Sequence, residues 1–396
     1  VFSFRKLAAV LLLACTAAGT AKAAPAIRAH ERAALQWQVS PGKSGESGYA
    51  LTVVGQSRRF ALVLEDHLDL LAALDSVAER RVMGVDNRFL RGTLAGEAGT
   101  WARLSRVDGA WSGAIFDGAE LWLLDPAGAV HDQLSRPEPK YAGSVLYRFS
   151  DVQSPALFDD VHEPPKDAAT AFDAFAAQLG TKAAGATKQL RMTVVADTEY
   201  QALHGANASA VATARVNVID GIYSSQLRVE IAIANFAPLA SNGPLATANG
   251  NDLLSAFRTF MTQAGQTIPR GHLNHLFSGK DFFSIGTGGQ QQNGLAGVAY
   301  LGVLCSASFG YGVSEVRSNS QIAALIVAHE MGHNFGAPHD GADACAAQTG
   351  TWIMNPSIST AATQFSPCSV TQMTDDVNGA SCLVPIVVAQ FRNGFE

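Results

Sequence analysis

The sequence predicts an α/β domain in its second half, preceded by a β-rich region. Three observations carry that reading. Beyond position 190, short apolar runs alternate with helical periodicities in β-α-β-α order, as helices packed on a sheet require. Before position 165, β-prone runs are separated by Gly and Asp turns. Between the two, residues 162–188 open on Pro164-Pro165 and are rich in Ala, Gly and Thr, a linker composition.

In chain order, residues 1–23 have the layout of an export signal: Arg5 and Lys6, the apolar run Leu7–Cys15, then Ala21-Lys22-Ala23 as a small-x-small cleavage site. The expected destination is outside the cell, with the periplasm in transit. Leu12-Leu13-Ala14-Cys15 gives an alternative, a lipobox in which Cys15 would carry a lipid anchor. Leu13 is not the small residue usual there, and a good later cleavage site exists, so secretion is preferred. Residues 24–165 form the β-rich region, with strands expected in YALTVVG (49–55), RRFALVLE (58–65), TWARLSRV (100–107), GAWSGAIFDG (109–118) and AELWLL (119–124). Residues 166–188 are the linker, with a short helix expected over Asp167–Leu179 and a site open to proteolytic nicking.

The α/β domain covers 189–384. LRMTVVAD (190–197) reads as a buried strand. Ala208–Tyr223 has helical spacing in Val211, Ala214, Val218 and Ile222. LRVEIAIANF (227–236) is a strand, and Asn251–Ala264 a helix with Leu254, Phe257 and Met261 on one face. HLNHLFSG (272–279) and GLAGVAYLG (294–302) are strands, and Ser320–Phe335 a helix capped by Ser320. The stretch from 340 on shows little periodic pattern, and 385–396 is a polar-aromatic tail.

Composition narrows the function. The net charge is −6, and after Lys188 the only lysine is Lys280, so the basic stripe of a nucleic-acid binder is missing. No later segment is long and apolar enough to span a membrane. Of five cysteines, Cys15 lies in the signal; Cys305, Cys345, Cys368 and Cys382 suggest two disulfides in an exported chain, and spacing alone leaves three pairings open.

The chemistry concentrates in VAHEMGHNFGAPHDG (327–341). Ile322, Leu325 and Ile326 set a helical apolar series whose next place falls to His329. His333, four residues on, projects from the same face, and Glu330 is turned about 100° from it. Gly336 allows the left-handed backbone that ends a helix, and the chain can then bring His339 back toward the first two. Catalytic zinc takes three protein ligands and keeps a position for water, whose pKa it lowers from about 15.7 to about 7. Glu330 is placed to take the proton and hand it to a leaving amine. The pattern HExxHxxGxxHD fixes six letters, a chance match on the order of 10⁻⁵ in a chain this size. Met354, in WIMNP (352–356), suits a tight methionine turn beneath the metal. His272 and His275 read as packing residues, and His30, His67, His131, His162 and His204 as surface ones.

The zinc motif is the metzincin signature, and Asp340 after the third histidine resembles the adamalysin (reprolysin) branch. LRMTVVADTEY (190–200), ARVNVIDGIYSSQLRVEIAI (214–233), HLNHLFSGKDF (272–282), GLAGVAYLGVLCSASFGYGVSEV (294–316) and FSPCS (365–369) extend the likeness over 190–383, and residues 88–126 resemble a reprolysin propeptide. The resemblance implies a metzincin catalytic domain: a twisted five-stranded mixed sheet with helices, a zinc-binding active-site helix and an irregular C-terminal subdomain, preceded by a β-rich prodomain. It implies a secreted zinc endopeptidase made as a zymogen, a monomer acting on peptide or protein substrates and inhibited by its own propeptide. One zinc would be held by His329, His333 and His339. The edge strand Gly294, Leu295, Ala296, Gly297, Val298 would pair with substrate. The same likeness favours the disulfides Cys305–Cys382 and Cys345–Cys368. The acidic residue that helps hold calcium in some members falls near Arg191, which argues against a calcium site.

The propeptides of this family commonly silence zinc with a cysteine thiolate, but no cysteine stands between Cys15 and Cys305. Asp117, Asp159, Asp160, His162, Glu163 or simple blockage of the cleft are the alternatives. The competing function is a catalytically silent metzincin-fold binding protein or adhesin; His329, Glu330, His333 and His339 all being present favours the enzyme.

Overall fold

A computed structural model describes residues 26–41, 47–74, 82, 84, 86–136, 139–153, 157–164, 187–317 and 321–386. The expected export signal, nearly all of the linker with its short helix, the cap Ser320 and most of the tail lie outside the described residues.

Eight antiparallel strands close into a barrel: β1 (Glu31–Pro41), β2 (Ser47–Val54), β3 (Arg59–Asp66), β4 (Arg88–Leu94), β5 (Trp101–Val107), β6 (Ala110–Phe116), β7 (Leu121–Pro126) and β8 (Ser144–Arg148). Closure comes from β1, which pairs with both β2 and β8. Along β3, buried and exposed residues alternate, so Phe60, Leu62 and Leu64 face the barrel core and the other face meets water. β5 to β7 are buried along most of their length because both their faces are covered. Ala102, Leu104, Ile115, Trp122 and Leu124 fill the barrel, while Trp101, Phe116, Leu121 and Leu123 share a second core with Val216 and Ile219 of helix α1 (Ala208–Leu227).

α1 is therefore clad on all sides and lacks a polar face. The barrel comes so close that a Cβ on Gly221 would stand 2.6 Å from Trp101 Cζ3 and 2.8 Å from Arg103 Cγ. Most of the polar groups in this contact are paired. Arg103 Nε donates to Asp220 Oδ2 (2.8 Å) and Arg103 Nη2 to Ser224 Oγ (2.9 Å). Asn217 Nδ2 donates to the carbonyls of Leu90 and Leu104 (3.2 and 3.1 Å). His67, expected at the surface, is buried here with Nδ1 2.8 Å from Asn217 Oδ1.

The second half folds on a mixed sheet of order β9–β13–β14–β12–β10–β11, where β9 is Phe158–His162, β10 Lys188–Ala196, β11 Val229–Pro238, β12 Leu273–Ser278, β13 Leu295–Tyr300 and β14 Tyr311–Glu315. β10 to β14 are the five strands this half supplies, and Val384–Pro385 adds a short antiparallel pairing on β10. β13 runs antiparallel to β14. β9, from the segment before the linker, lies parallel along the outer edge of β13. Helix α2 (Gly250–Thr262) covers part of the sheet with Leu254, Phe257 and Met261 turned inward. α3 (Ile322–Asn334) is buried along its whole length.

A fourth helix, α4 (Pro367–Gly379), lies in the stretch that showed little pattern. Only Ser369, Met373 and Val377 are buried in it, too thin a stripe for periodicity to register. Its local signal is the N-cap: Ser366 Oγ accepts from Ser369 N (3.0 Å), and Pro367 fills the first turn. The disulfides are Cys305–Cys382 and Cys345–Cys368, the pairing the resemblance favoured. Among the described residues no helix is long and apolar enough to cross a membrane.

Candidate metal centre

α3 enters the core as an apolar rod and turns polar only where His329, Glu330 and His333 replace the apolar series; all three are buried. Its end is built as glycine chemistry requires. Gly336 has φ +93°, Gly336 N donates to His333 O (2.9 Å) and Ala337 N to Gly332 O (3.0 Å). That turn delivers His339 to the other two.

The imidazoles are oriented from behind. His329 Nδ1 bonds to Ile353 O, in the methionine turn, and His333 Nδ1 to Ala337 O (2.8 Å). A carbonyl can only accept, so each Nδ1 carries the proton and each Nε2 is left as a lone pair. These Nε2 atoms and that of His339 converge on one carboxylate oxygen, Asp159 Oδ2, at 3.0, 2.9 and 2.9 Å for His329, His333 and His339. The lone pair of a neutral imidazole cannot bond to a carboxylate, so either a second ring proton or a metal cation must lie between them. His329 Nε2 makes no hydrogen bond among the described residues, whereas His333 and His339 Nε2 lie within hydrogen-bond distance of Asp159. The donor set, imidazole nitrogens with Nδ1 fixed by carbonyls plus one carboxylate, is the chemistry that holds a divalent metal, and its ligand atoms all lie within 4.8 Å of one another.

Two glycines make room for the centre. A Cβ on Gly332 would lie 2.5 Å from Met354 Sδ, so Met354 packs directly against the helical turn between His329 and His333. A Cβ on Gly297 would lie 2.3 Å from Glu330 Oε1, so the edge strand must be bare where it passes the glutamate. Asp340 ties the parts together: its N–H donates to Met354 O (2.8 Å), and its Oδ1 accepts from Ser366 and Ser369 at the start of α4. The SPCS segment thus braces the methionine turn through Asp340.

Charge and burial shape these groups. Burial, reinforced by Asp159 and Asp160, pushes the Glu330 carboxyl well above the carboxylate range. Burial works to raise Asp159 too, but imidazoles that carry a proton toward it outweigh burial and hold its carboxyl well below that range. A bound cation would dominate both effects.

The structure brings His329, Glu330, His333, His339 and Met354 into one site with the edge strand Gly294–Val298. That edge is covered by β9: Phe158 N donates to Gly294 O (3.0 Å) and Leu301 N to His162 O (2.9 Å). Asp117 is remote, paired with Arg58 (3.1 Å) and Trp122 Nε1 (3.0 Å) on the barrel. Asp160 and His162 both meet Asn251 (3.0 and 2.9 Å). His275 bonds Ser314 Oγ (2.8 Å), and burial lowers it to about 3. Sequence reasoning missed Gly332, Gly297 as the space for Glu330, and Asn251. Only Gly332, inside the motif itself, carried a local signal.

A reprolysin model of metallo-peptidase family M12 matches residues 186–366, the segment holding α3 and Met354. Disintegrin and metalloproteinase domain-containing protein 22 of Homo sapiens is 24% identical over 320 residues, 76% of this chain and 34% of its own length. Protein 9 of the same series in Homo sapiens is 28% identical over 208 residues, 50% of this chain and 24% of its own length. Protein 11 in Homo sapiens is 30% identical over 156 residues, 38% of this chain and 18% of its own. The chain spans about a third or less of these relatives.

Proposed function

The chain carries an M12 metallopeptidase domain of the reprolysin (adamalysin) metzincin family, and on that premise we propose that it is a secreted zinc endopeptidase made as a zymogen. The observation that carries the reading is the convergence of the Nε2 atoms of His329, His333 and His339 beside the buried carboxylate of Glu330. His329, His333 and His339 would hold the zinc, and Met354 would support them from below. Zinc, when bound, supplies Lewis acidity and lowers the pKa of water at the site.

The rest falls to the chain. Glu330, buried against Gly297, takes a proton from the attacking water and returns it to the leaving amine. The backbone of Gly294–Val298 aligns an extended peptide by strand pairing. Ala296, Ile326 and Ile358 pack around Leu157 in a small apolar cluster, and the space Leu157 takes would suit an aliphatic substrate side chain. Two disulfides fit an exported protein. The segment before the linker is the propeptide in this reading, and cleavage within 166–188 would activate the enzyme.

The test compares the segment from residue 187 onward with its Glu330→Ala variant, measuring casein hydrolysis and metal content. We expect one zinc per chain in both, and hydrolysis reduced by about 10²–10⁴-fold in the variant. One zinc in both and hydrolysis in neither would replace the enzyme with a metal-holding binding protein.

A further inference from the structure

We propose that Asp159 is a fourth metal ligand in the uncut chain, closing the site that His329, His333 and His339 form. The proposal rests on the zinc reading above and adds the identity of the group that silences it.

Asp159 arrives from a distant part of the sequence, yet it is as deeply set as the histidines. It is 8% exposed, and its Oδ2 is the atom on which the three Nε2 atoms converge. Its approach is built rather than accidental. β9 follows β13 in parallel register, Asp160↔Val298 through His162↔Tyr300, but the register shifts between Phe158 and Asp159, so that Phe158 pairs with Leu295 and Asp159 with Gly297. The irregularity falls at the ligand. Bulges re-aim a side chain in this way.

Both ends of the segment are clamped. Ahead of Asp159, Leu157 fills the apolar recess of Ala296, Ile326 and Ile358, and Ile358 N donates to Leu157 O (3.0 Å). Behind it, Asn251 on α2 donates to Asp160 Oδ2 (3.0 Å) and meets His162 Nε2 through its Oδ1 (2.9 Å). The occupant therefore fills the recess and covers the edge strand, and it offers the metal a side-chain carboxylate. Among the described residues no free thiol is placed for this part: Cys305, Cys345, Cys368 and Cys382 are all in disulfides, and none of them precedes the linker.

The experiment uses the full chain with Glu330→Ala, which prevents self-cleavage, loaded with cobalt(II) in place of zinc. The visible spectrum reports the ligand set, and acetohydroxamate is the probe for an open coordination position. With Asp159→Ala we expect the cobalt bands to change and the apparent affinity for acetohydroxamate to rise about a hundredfold, since a tethered competitor is removed. Asn251→Ala keeps the carboxylate but loosens its clamp, and a rise of about tenfold is expected. Identical spectra and identical acetohydroxamate affinity in the parent and Asp159→Ala would overturn the assignment while leaving the zinc reading intact. Failure of the parent and of a His329→Ala control alike to bind cobalt would instead remove the metal centre, and the assignment with it.

Discussion

Two of the contacts between the region before the linker and the rest of the molecule work by unlike physics. The barrel lies on α1 through Trp101, Phe116 and Leu123, around a glycine whose missing side chain sets the distance. β9 lies in the cleft and carries one carboxylate to three imidazoles. The first contact is broad and combines apolar packing with a few buried polar pairs; the second is a short strand at the centre of the site. Holding and blocking are thus separate tasks given to separate surfaces, and substitutions should tell them apart.

The largest expected effect is on the holding side. Arg103→Ala removes the guanidinium 2.8 Å from Asp220 and leaves a fully buried carboxylate without its main counter-charge, at a cost of about 3–5 kcal/mol. Urea unfolding of the full chain in the Glu330→Ala background would measure it. The cobalt spectrum should stay as in the parent; a changed spectrum would mean that the two contacts are one. Next comes Gly221→Val, which drives a side chain into Trp101 and should cost about 1–3 kcal/mol in the same measurement.

The smallest effect is with pH, because two buried groups on the barrel side oppose each other. Burial pushes Asp125 up to about 7, against the hydrogen bonds from Tyr147 and Gln321 N and the pull of Arg215. The folded chain holds that proton more tightly than the unfolded one, so the stabilisation is complete below about 4 and is lost as pH rises through about 7. Burial pushes His67 down, helped by Arg103 and Arg91 and resisted by Asp220 and Asn217. Its neutral form is favoured, so its contribution is complete above about 6.5 and is lost as pH falls. Below about pH 6.5 the two contributions run in opposite directions. His67→Gln removes the loss on acidification that His67 contributes, so the variant's stability should fall more steeply with rising pH between about 4 and 6.5 than the parent's, and identical slopes in urea unfolding of the two would show that His67 is not an opposing group.

What was legible in the sequence follows the same division. The metal centre is written locally: His329 and His333 share a helical face, and Gly336 ends the helix where the third ligand must return. The strands over 49–66 and 101–124 were legible because bulky apolar residues mark them. β4 was not, since Gly92 interrupts RFLRGTL; a Cβ there would stand 2.0 Å from Val63 O. β9 was not either, because FDDVH has no strand signature and is ordered by the edge it lies upon. Asp159 could be named as one candidate among several, and only the pairing of two distant segments singles it out. His67 misled for the same reason: a lone histidine after a strand carries no hint that a helix 150 residues later will cover it.

The place of β9 in the chain has a kinetic consequence. It precedes the linker, with only Phe149–Leu157 between it and the last barrel strand. A cut within 166–188 therefore does not detach the carboxylate from the barrel. On the proposed reading it would divide one molecule into an enzyme and a folded ligand that still fits it. Before the cut, occupancy of the site would be independent of how much protein is present. Afterwards it would obey mass action, and dilution away from the point of release would become the step that turns the proposed enzyme on.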